Sequence, residues 1–291
     1  MKGCKIVGWV ALAAVVAGAG WGLSRWIARR SQVTANRAEL ARLGLPGDGT
    51  RDYMPLPAIL PHDKQAAQLG GGLFTDKRLA RTSRRTCSSC HWLNAGGSDG
   101  KTHGGVMTRP IENAIATTRF LHDGSLTNFS DAVARMLTDG TYAGGGSLPE
   151  IVSRLSSDKT LVAAFERVYK TGPNATNVLQ AIDQYARTLI SAGRAFDRYQ
   201  GGDANALTAQ EKAGFEVFQS RSCLACHRGP VLGGHDVYEG RKVTQLRGLG
   251  RRRVYLSDGR LDDLGAVVTR MPAKEFTEDE LAALVAFLKT L

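Results

Sequence analysis

An all-α chain with long loops, divided into two domains, is what the sequence predicts, on three observations. Apolar residues recur at helical spacing in several segments. Capping signatures stand ahead of two of those segments. No stretch alternates apolar and polar residues long enough to argue for a sheet. The 291 residues leave room for about two domains. With 43% hydrophobic and 22% charged residues, the composition excludes a disordered chain and a polytopic membrane protein.

Residues 1–30 read as a signal peptide or an N-terminal anchor. Lys2 and Lys5 precede an apolar run from Ile6 to Gly22 that ends in small residues. Ala17-Gly18-Ala19 resembles a cleavage site, whereas an apolar run extended to Ile27 would serve as a membrane anchor. Arg25, Arg29 and Arg30 oppose an N-in anchor, which favours cleavage. Cys4 lies ahead of the apolar run, where a lipoprotein cysteine would not stand, and reads as a thiol lost with the signal.

Residues 31–63 form a linker or arm: a short amphipathic stretch from Thr34 to Leu43, then a loop punctuated by Pro46, Gly47, Gly49, Pro55, Pro57 and Pro61. The first domain is expected over residues 64–205. Its segment from Thr86 to Ser130 is rich in glycine and poor in helical period. From Leu148 to Ser191 two helices are the economical reading, with Leu161, Val162, Phe165, Val168 and Tyr169 on one stripe and Val178, Leu179, Ile182, Tyr185, Leu189 and Ile190 on the next. Gly201-Gly202-Asp203-Ala204-Asn205 breaks the chain, and the second domain, residues 206–291, opens with the capping box Thr208-Ala209-Gln210-Glu211. A second box, Thr277-Glu278-Asp279-Glu280, precedes Leu281, Leu284, Val285, Leu288 and Leu291 at helical spacing.

Four of the five cysteines fall in two identical patterns, Cys87-Ser88-Ser89-Cys90-His91 and Cys223-Leu224-Ala225-Cys226-His227. A Cys-x-x-Cys pair alone could be a redox disulfide or half of a zinc site, and two pairs could make one Cys₄ centre. The histidine directly after each pair, the export segment and the 131 residues between the motifs favour two covalently attached c-type haems instead, one per domain. In such a site the two thiols add to the porphyrin vinyl groups and the histidine becomes the proximal iron ligand, here His91 and His227. The formal charge of +11 would fall to about +7 once four propionates are counted as carboxylates. That excess is mild, and nucleic acid is not among the expected partners.

From Leu69 to Leu291 the chain resembles the bacterial di-haem cytochrome c peroxidase family, which includes the MauG-type enzymes that oxidise residues on a partner protein. The resemblance is carried by Leu73-Phe74-Thr75-Asp76-Lys77-Arg78-Leu79, Gly96-Gly97-Ser98-Asp99-Gly100 and Phe120-Leu121-His122-Asp123-Gly124. It continues through Ala186-Arg187-Thr188-Leu189-Ile190-Ser191, Phe196-Asp197-Arg198-Tyr199 and Gly202-Asp203 to Gly214 and Phe218. It implies two cytochrome-c-like helical domains whose haems face one another across the domain interface. The first haem would react with hydrogen peroxide, and the second would pass on electrons from a small periplasmic redox donor. A MauG-like enzyme acting on a periplasmic protein substrate and a non-catalytic di-haem electron carrier are the alternatives.

Departures from the family pattern accompany these matches. His122 stands where the family usually has a tryptophan, and Ala132 where its peroxidases usually have a glutamine. The Thr-Pro segment of the family appears as Val243-Thr244-Gln245-Leu246-Arg247, so the inter-domain calcium ion that some members hold stays an open cofactor. His103, twelve residues after His91, is the candidate distal ligand or pocket residue, with an ordinary loop histidine as the alternative. His122 either touches the first haem or is a hydrogen-bonded histidine at a helix start. Met271, forty-four residues after His227, is the expected sixth ligand of the second haem, ahead of Tyr238, His235 and Tyr255. Glu150 reads as a helix-start carboxylate rather than an acid-base group. Arg247, Arg251, Arg252 and Arg253 read as a docking face, as propionate counter-ions, or as a solvated basic loop.

Overall fold

The computed structural model describes residues 38, 40–45, 54–81, 84–103, 105–142, 146–256, 258–272 and 275–291. Two hydrophobic cores organise them, and each is built on a pair of helices that cross at a glycine. In the first, α1 (Lys64–Phe74) starts where the Asp63 carboxylate accepts from Ala66 N–H and crosses α5 (Ala175–Ala186), which Asn174 caps in the same way. A Cβ on Gly70 would lie 1.9 Å from the Ala181 carbonyl oxygen, so only glycine lets the backbones approach this closely. The second core repeats the device. Its helices α7 (Ala209–Ser220) and α9 (Glu278–Lys289) cross where a Cβ on Gly214 would lie 1.9 Å from the Ala283 carbonyl oxygen.

Both expected capping boxes form, with Thr208 N–H donating to Glu211 Oε2 at 2.7 Å and Thr277 N–H to Glu280 Oε2 at 2.9 Å. Between α1 and α5 lie α2 (Phe129–Thr138), α3 (Leu148–Ser156) and α4 (Lys159–Tyr169). From Leu148 to Ser191 three helices, α3, α4 and α5, thus occupy the stretch read as two. Asp158 accepts from the amides of Thr160 and Leu161 and restarts the chain as α4, while Gly172 and Pro173 separate α4 from the Asn174 cap of α5. Glu150 is a helix-start carboxylate in a capping box with Ser147, as its position suggests.

The arm is more than a linker. Leu40, Leu43, Leu45, Leu56 and Leu60 are buried in the first core with Leu73, Ile151, Leu155 and Phe165. The second core collects Phe196, from the short helix α6 (Ala195–Gln200), with Phe215, Phe218 and Phe287. Their ring centroids lie 5.0 Å apart for Phe196 and Phe287 and 5.5 Å for Phe218 and Phe287, mostly edge-on or tilted. Leu264 and Val268 of α8 (Leu264–Val268) close that core. Extended structure among the described residues is confined to two-residue hairpin strands, β1 (Thr102–His103) with β2 (Val106–Met107) and β3 (Val237–Tyr238) with β4 (Arg241–Lys242), and to isolated bridges.

The two cores are joined by the loops that follow the two cysteine motifs. Thr118 and Arg119 N–H both donate to Gly234 C=O at 3.0 Å, and Lys242 N–H to His122 C=O at 2.9 Å. Gln245 Nε2 donates to the carbonyls of Pro110 and Glu112, Asn113 Nδ2 to that of Arg247, and Arg251 pairs with Glu112 at 2.7 Å. Beneath them Arg247, fully buried, holds Asp197 at 2.7 Å and donates to Met54 C=O, so loop, α6 and arm meet at one ion pair.

Candidate haem-binding site

Both motifs fold into the same turn. Cys90 and His91 N–H donate to Cys87 C=O at 3.2 and 2.9 Å, and Cys226 and His227 N–H donate to Cys223 C=O at 3.3 and 2.9 Å. Thr86 braces the first turn through Ser88 and Ser89, while Ser222 enters the second at φ +59°. Each turn places its imidazole in a half-buried position.

The imidazoles suit iron. His91 Nδ1–H donates to Gly97 C=O at 3.0 Å, which orients the ring and leaves Nε2 with its lone pair. Burial lowers the His91 pKa and pushes His227 down to about 4, so both are neutral, the form a metal binds. The His227 Nδ1 is buried without a hydrogen-bond partner beside the carbonyls of Leu232 and Thr244. Burial raises the Cys87 thiol to about 11 and also raises Cys90 and Cys223. That is contrary to a reactive dithiol, whose thiolate must be accessible and stabilised. The zinc alternative fails on placement: among the described residues the one cluster able to hold an ion is Cys90, Asp99 and His103, so the four cysteines are not gathered. A cavity of about 490 Å³ opens beside His91, walled by Phe74, Trp92 and Tyr185. Two matching turns with oriented or poised imidazoles, and the space beside His91, fit the haem reading.

His103 lies on β1 with its Nε2 2.7 Å from the carboxylate of Asp99, whose side chain is only 2% exposed and whose N–H donates to Cys90 C=O. His103 is therefore a partnered histidine at the Cys90 edge of the first site. The His122 imidazole is exposed, and its carbonyl accepts from Lys242 N–H and Arg109 Nη2, so it serves the junction through its main chain. Met271 is half-buried just beyond α8, with its N–H on Val268 C=O. Of its rivals, Tyr238 is 46% exposed, Tyr255 donates to Arg252 C=O, and His235 is buried against Thr118 Oγ1 at 2.9 Å.

The arginine run is not a solvated loop: Arg247 and Arg251 hold Asp197 and Glu112, Arg252 donates to the carbonyls of Gln245 and Arg247, and Arg253 is exposed. Sequence reasoning passed over Arg109, Glu112 and Lys242. Each acts through a partner that folding supplies, as when Arg109 reaches Thr244 across 135 residues, and no local pattern announces such a contact.

Residues 64–205 match the family model described as "Di-haem cytochrome c peroxidase", and residues 211–291 that described as "Cytochrome c". The chain is 37% identical over 199 residues to "Cytochrome c peroxidase Ccp" of Escherichia coli (strain K12), a match covering 66% of this chain and 43% of that protein. It is 29% identical to "Cytochrome c551 peroxidase" of Nitrosomonas europaea, covering 81% of this chain and 83% of the relative. With "Methylamine utilization protein MauG" of Methylorubrum extorquens the identity is 29% and the coverage 82% of each. The fold is similar to that of the diheme peroxidase BthA from Burkholderia thailandensis E264, with a TM-score of 0.67 at 15% identity over 85% of this chain and 94% of that one.

Proposed function

The chain belongs to the bacterial di-haem cytochrome c peroxidase and MauG family, and from that premise we propose that it is an exported, peroxide-dependent oxidoreductase carrying two haems c. The observation that carries the reading is the pair of matching Cys-x-x-Cys-His turns whose following loops interlock. When bound, haem iron would supply the redox chemistry, peroxide reduction at one site and electron transfer at the other. Cys87, Cys90 and His91 would hold the first haem, and Cys223, Cys226 and His227 the second.

The protein's own part is positioning and proton management. Gly97 C=O fixes the His91 ring, and Gly97 itself sits at φ +80°, a conformation glycine tolerates and other residues resist. Asp99 holds the His103 ring through a 2.7 Å contact to Nε2, which places the pair to relay the proton that peroxide cleavage moves between oxygens. The interlocked loops keep the two sites in one orientation, which lowers the reorganisation that electron passage between them would require. Export rests on residues 1–30, which lie outside the described residues together with Cys4. Among the described residues no helix is long and apolar enough to cross a membrane.

Oxidation of a residue on a partner protein is the second reading, favoured by the similarity to a MauG protein along 82% of both chains. The deciding experiment pairs a steady-state peroxidase assay, using reduced cytochrome or cupredoxin, with mass spectrometry of a co-expressed partner. Replacing His227 by Gly should leave the second haem tethered by its cysteines and abolish turnover with the external donor. Normal turnover would overturn the assignment of electron entry to the second site, and a pyridine haemochrome value below two haems per chain would overturn the di-haem reading.

A further inference from the structure

Several cations among the described residues meet an acid: Arg247, fully buried, holds Asp197, and Arg187, Arg251 and Arg221 hold Asp183, Glu112 and Glu280. Three cations at the junction of the motif loops do not. Arg109, Lys242 and Arg252 take part in none of the ion pairs among the described residues, and their hydrogen bonds go to uncharged oxygens. Arg109 donates to Thr244 Oγ1 at 2.6 Å and to His122 C=O at 3.2 Å. Lys242 Nζ reaches Thr117 Oγ1 at 3.3 Å, and Arg252 Nη2 donates to the carbonyls of Gln245 and Arg247 at 2.8 and 3.0 Å. The Nε atoms of Arg109 and Arg252 are withdrawn from solvent with no acceptor.

These charges act on one another. Burial first, then Arg109 and Arg252, pushes the Lys242 ammonium down to about 7, and burial brings Arg252 to about 10. Glu112 is the acid that acts on Arg252, and it is already bonded to Arg251. Like charges gathered in a crowded junction are costly unless an anion joins them. All three side chains are nonetheless half-buried rather than sealed. The position is specific as well: the Arg109 backbone acts on the His91 ring, and the Thr244 backbone and the Arg252 charge act on the His227 ring.

We propose that Arg109, Lys242 and Arg252 form a single carboxylate-binding site between the motif loops, and that it is filled by propionates of the haems. The proposal rests on the di-haem reading. Guanidinium and ammonium donors facing carboxylates make charge-assisted hydrogen bonds, which use the orphaned Nε–H groups and neutralise the mutual repulsion.

The experiment uses the full holo-protein, first shown by pyridine haemochrome to carry two haems, so that failure of the di-haem reading is recognised separately. Lys242→Met, Arg109→Met and Lys242→Arg are then compared by spectroelectrochemical titration of both haems and by denaturant unfolding. If propionates fill the site, Lys242→Met lowers the midpoint potential of at least one haem, since a lost cation favours the more positive ferric state. It also lowers the unfolding midpoint, because a carboxylate is left unpaired, and Lys242→Arg restores both. If nothing anionic is there, Lys242→Met relieves repulsion, raises the unfolding midpoint and leaves the potentials unchanged, which overturns the proposal. Wild-type potentials that follow chloride or phosphate concentration would overturn it too, by making the occupant a free inorganic anion. Should Lys242→Met give no folded protein, Arg109→Met carries the same two readouts with the same opposed outcomes.

Discussion

Replacing Gly70 by alanine tests the helix crossing against which the first haem turn is built. The added Cβ would lie 1.9 Å from the Ala181 carbonyl oxygen and 2.9 Å from Tyr185 Cβ. Ordinary contact begins near ~3.5 Å, so α1 and α5 must part by more than about 1 Å. The obstructing atoms are backbone, and no rotamer change relieves them. A gap of that size forfeits about a quarter to a half of the dispersion energy across the crossing, and overpacking typically costs about 1–3 kcal/mol. Alanine returns about 1 kcal/mol of helix propensity. With backbone in the way the upper end of the cost applies, for a net loss of about 2 kcal/mol. Gly72, on the same helix, faces open space, with nothing within 4 Å of where its Cβ would stand, so Gly72→Ala keeps only the propensity gain. It should stabilise by about 0.5–1 kcal/mol. Urea unfolding of the holo-protein, followed by far-ultraviolet circular dichroism and the Soret band, measures both variants, and an unchanged m-value shows that the unfolded state is not the cause. A neutral Gly70→Ala, or a Gly72→Ala that destabilises equally, would refute the reasoning.

Gly214→Ala should repeat the Gly70 result in the second core, because Ala283 and Phe287 block its Cβ in the same way. Arg247→Met should cost about 3–5 kcal/mol by leaving the Asp197 carboxylate buried and unpaired, and adding Asp197→Leu should recover part of that loss in the same unfolding assay. Met271→Ala should abolish the weak long-wavelength band of iron–sulfur ligation and lower the potential of the second haem, leaving the first unchanged; a band that persists assigns the ligand elsewhere. Arg221, then the Thr277 amide, holds the Glu280 carboxyl below its ordinary 4.5. A depressed carboxyl binds fewer protons folded than unfolded, so its contribution is complete above that value and is lost as the pH falls through the folded pKa. Thermal unfolding against pH should therefore show a shallower acid loss in Arg221→Met than in the parent chain.

How much was legible in the sequence depended on the range over which each signal acts. The Cys-x-x-Cys-His turns, the Thr208 and Thr277 capping boxes and the apolar stripes of α5 and α9 are encoded within a few residues, so they could be read directly and form as read. The helix count between Leu148 and Ser191 was not fully legible, because Asp158 is an ordinary acid in sequence and a cap only once its side chain turns back on two amides. The arm looked like a linker because its leucines have no partner until Ile151, Leu155 and Phe165 are brought beside them.

By itself, then, the sequence determined the helical class, the two Cys-x-x-Cys-His turns and the resemblance to the family, all of them local or ordered along the chain. Only the tertiary structure decided the fate of the polar residues. It paired His103 with Asp99, turned His122 outward, buried Arg247 on Asp197 and gathered Arg109, Lys242 and Arg252 at one junction, in none of the ion pairs among the described residues. The physical reason is that a charge gains its meaning from whatever lies within a few ångströms, and at this junction those neighbours come from loops more than a hundred residues apart, such as Gln245 and Glu112 at a separation of 133.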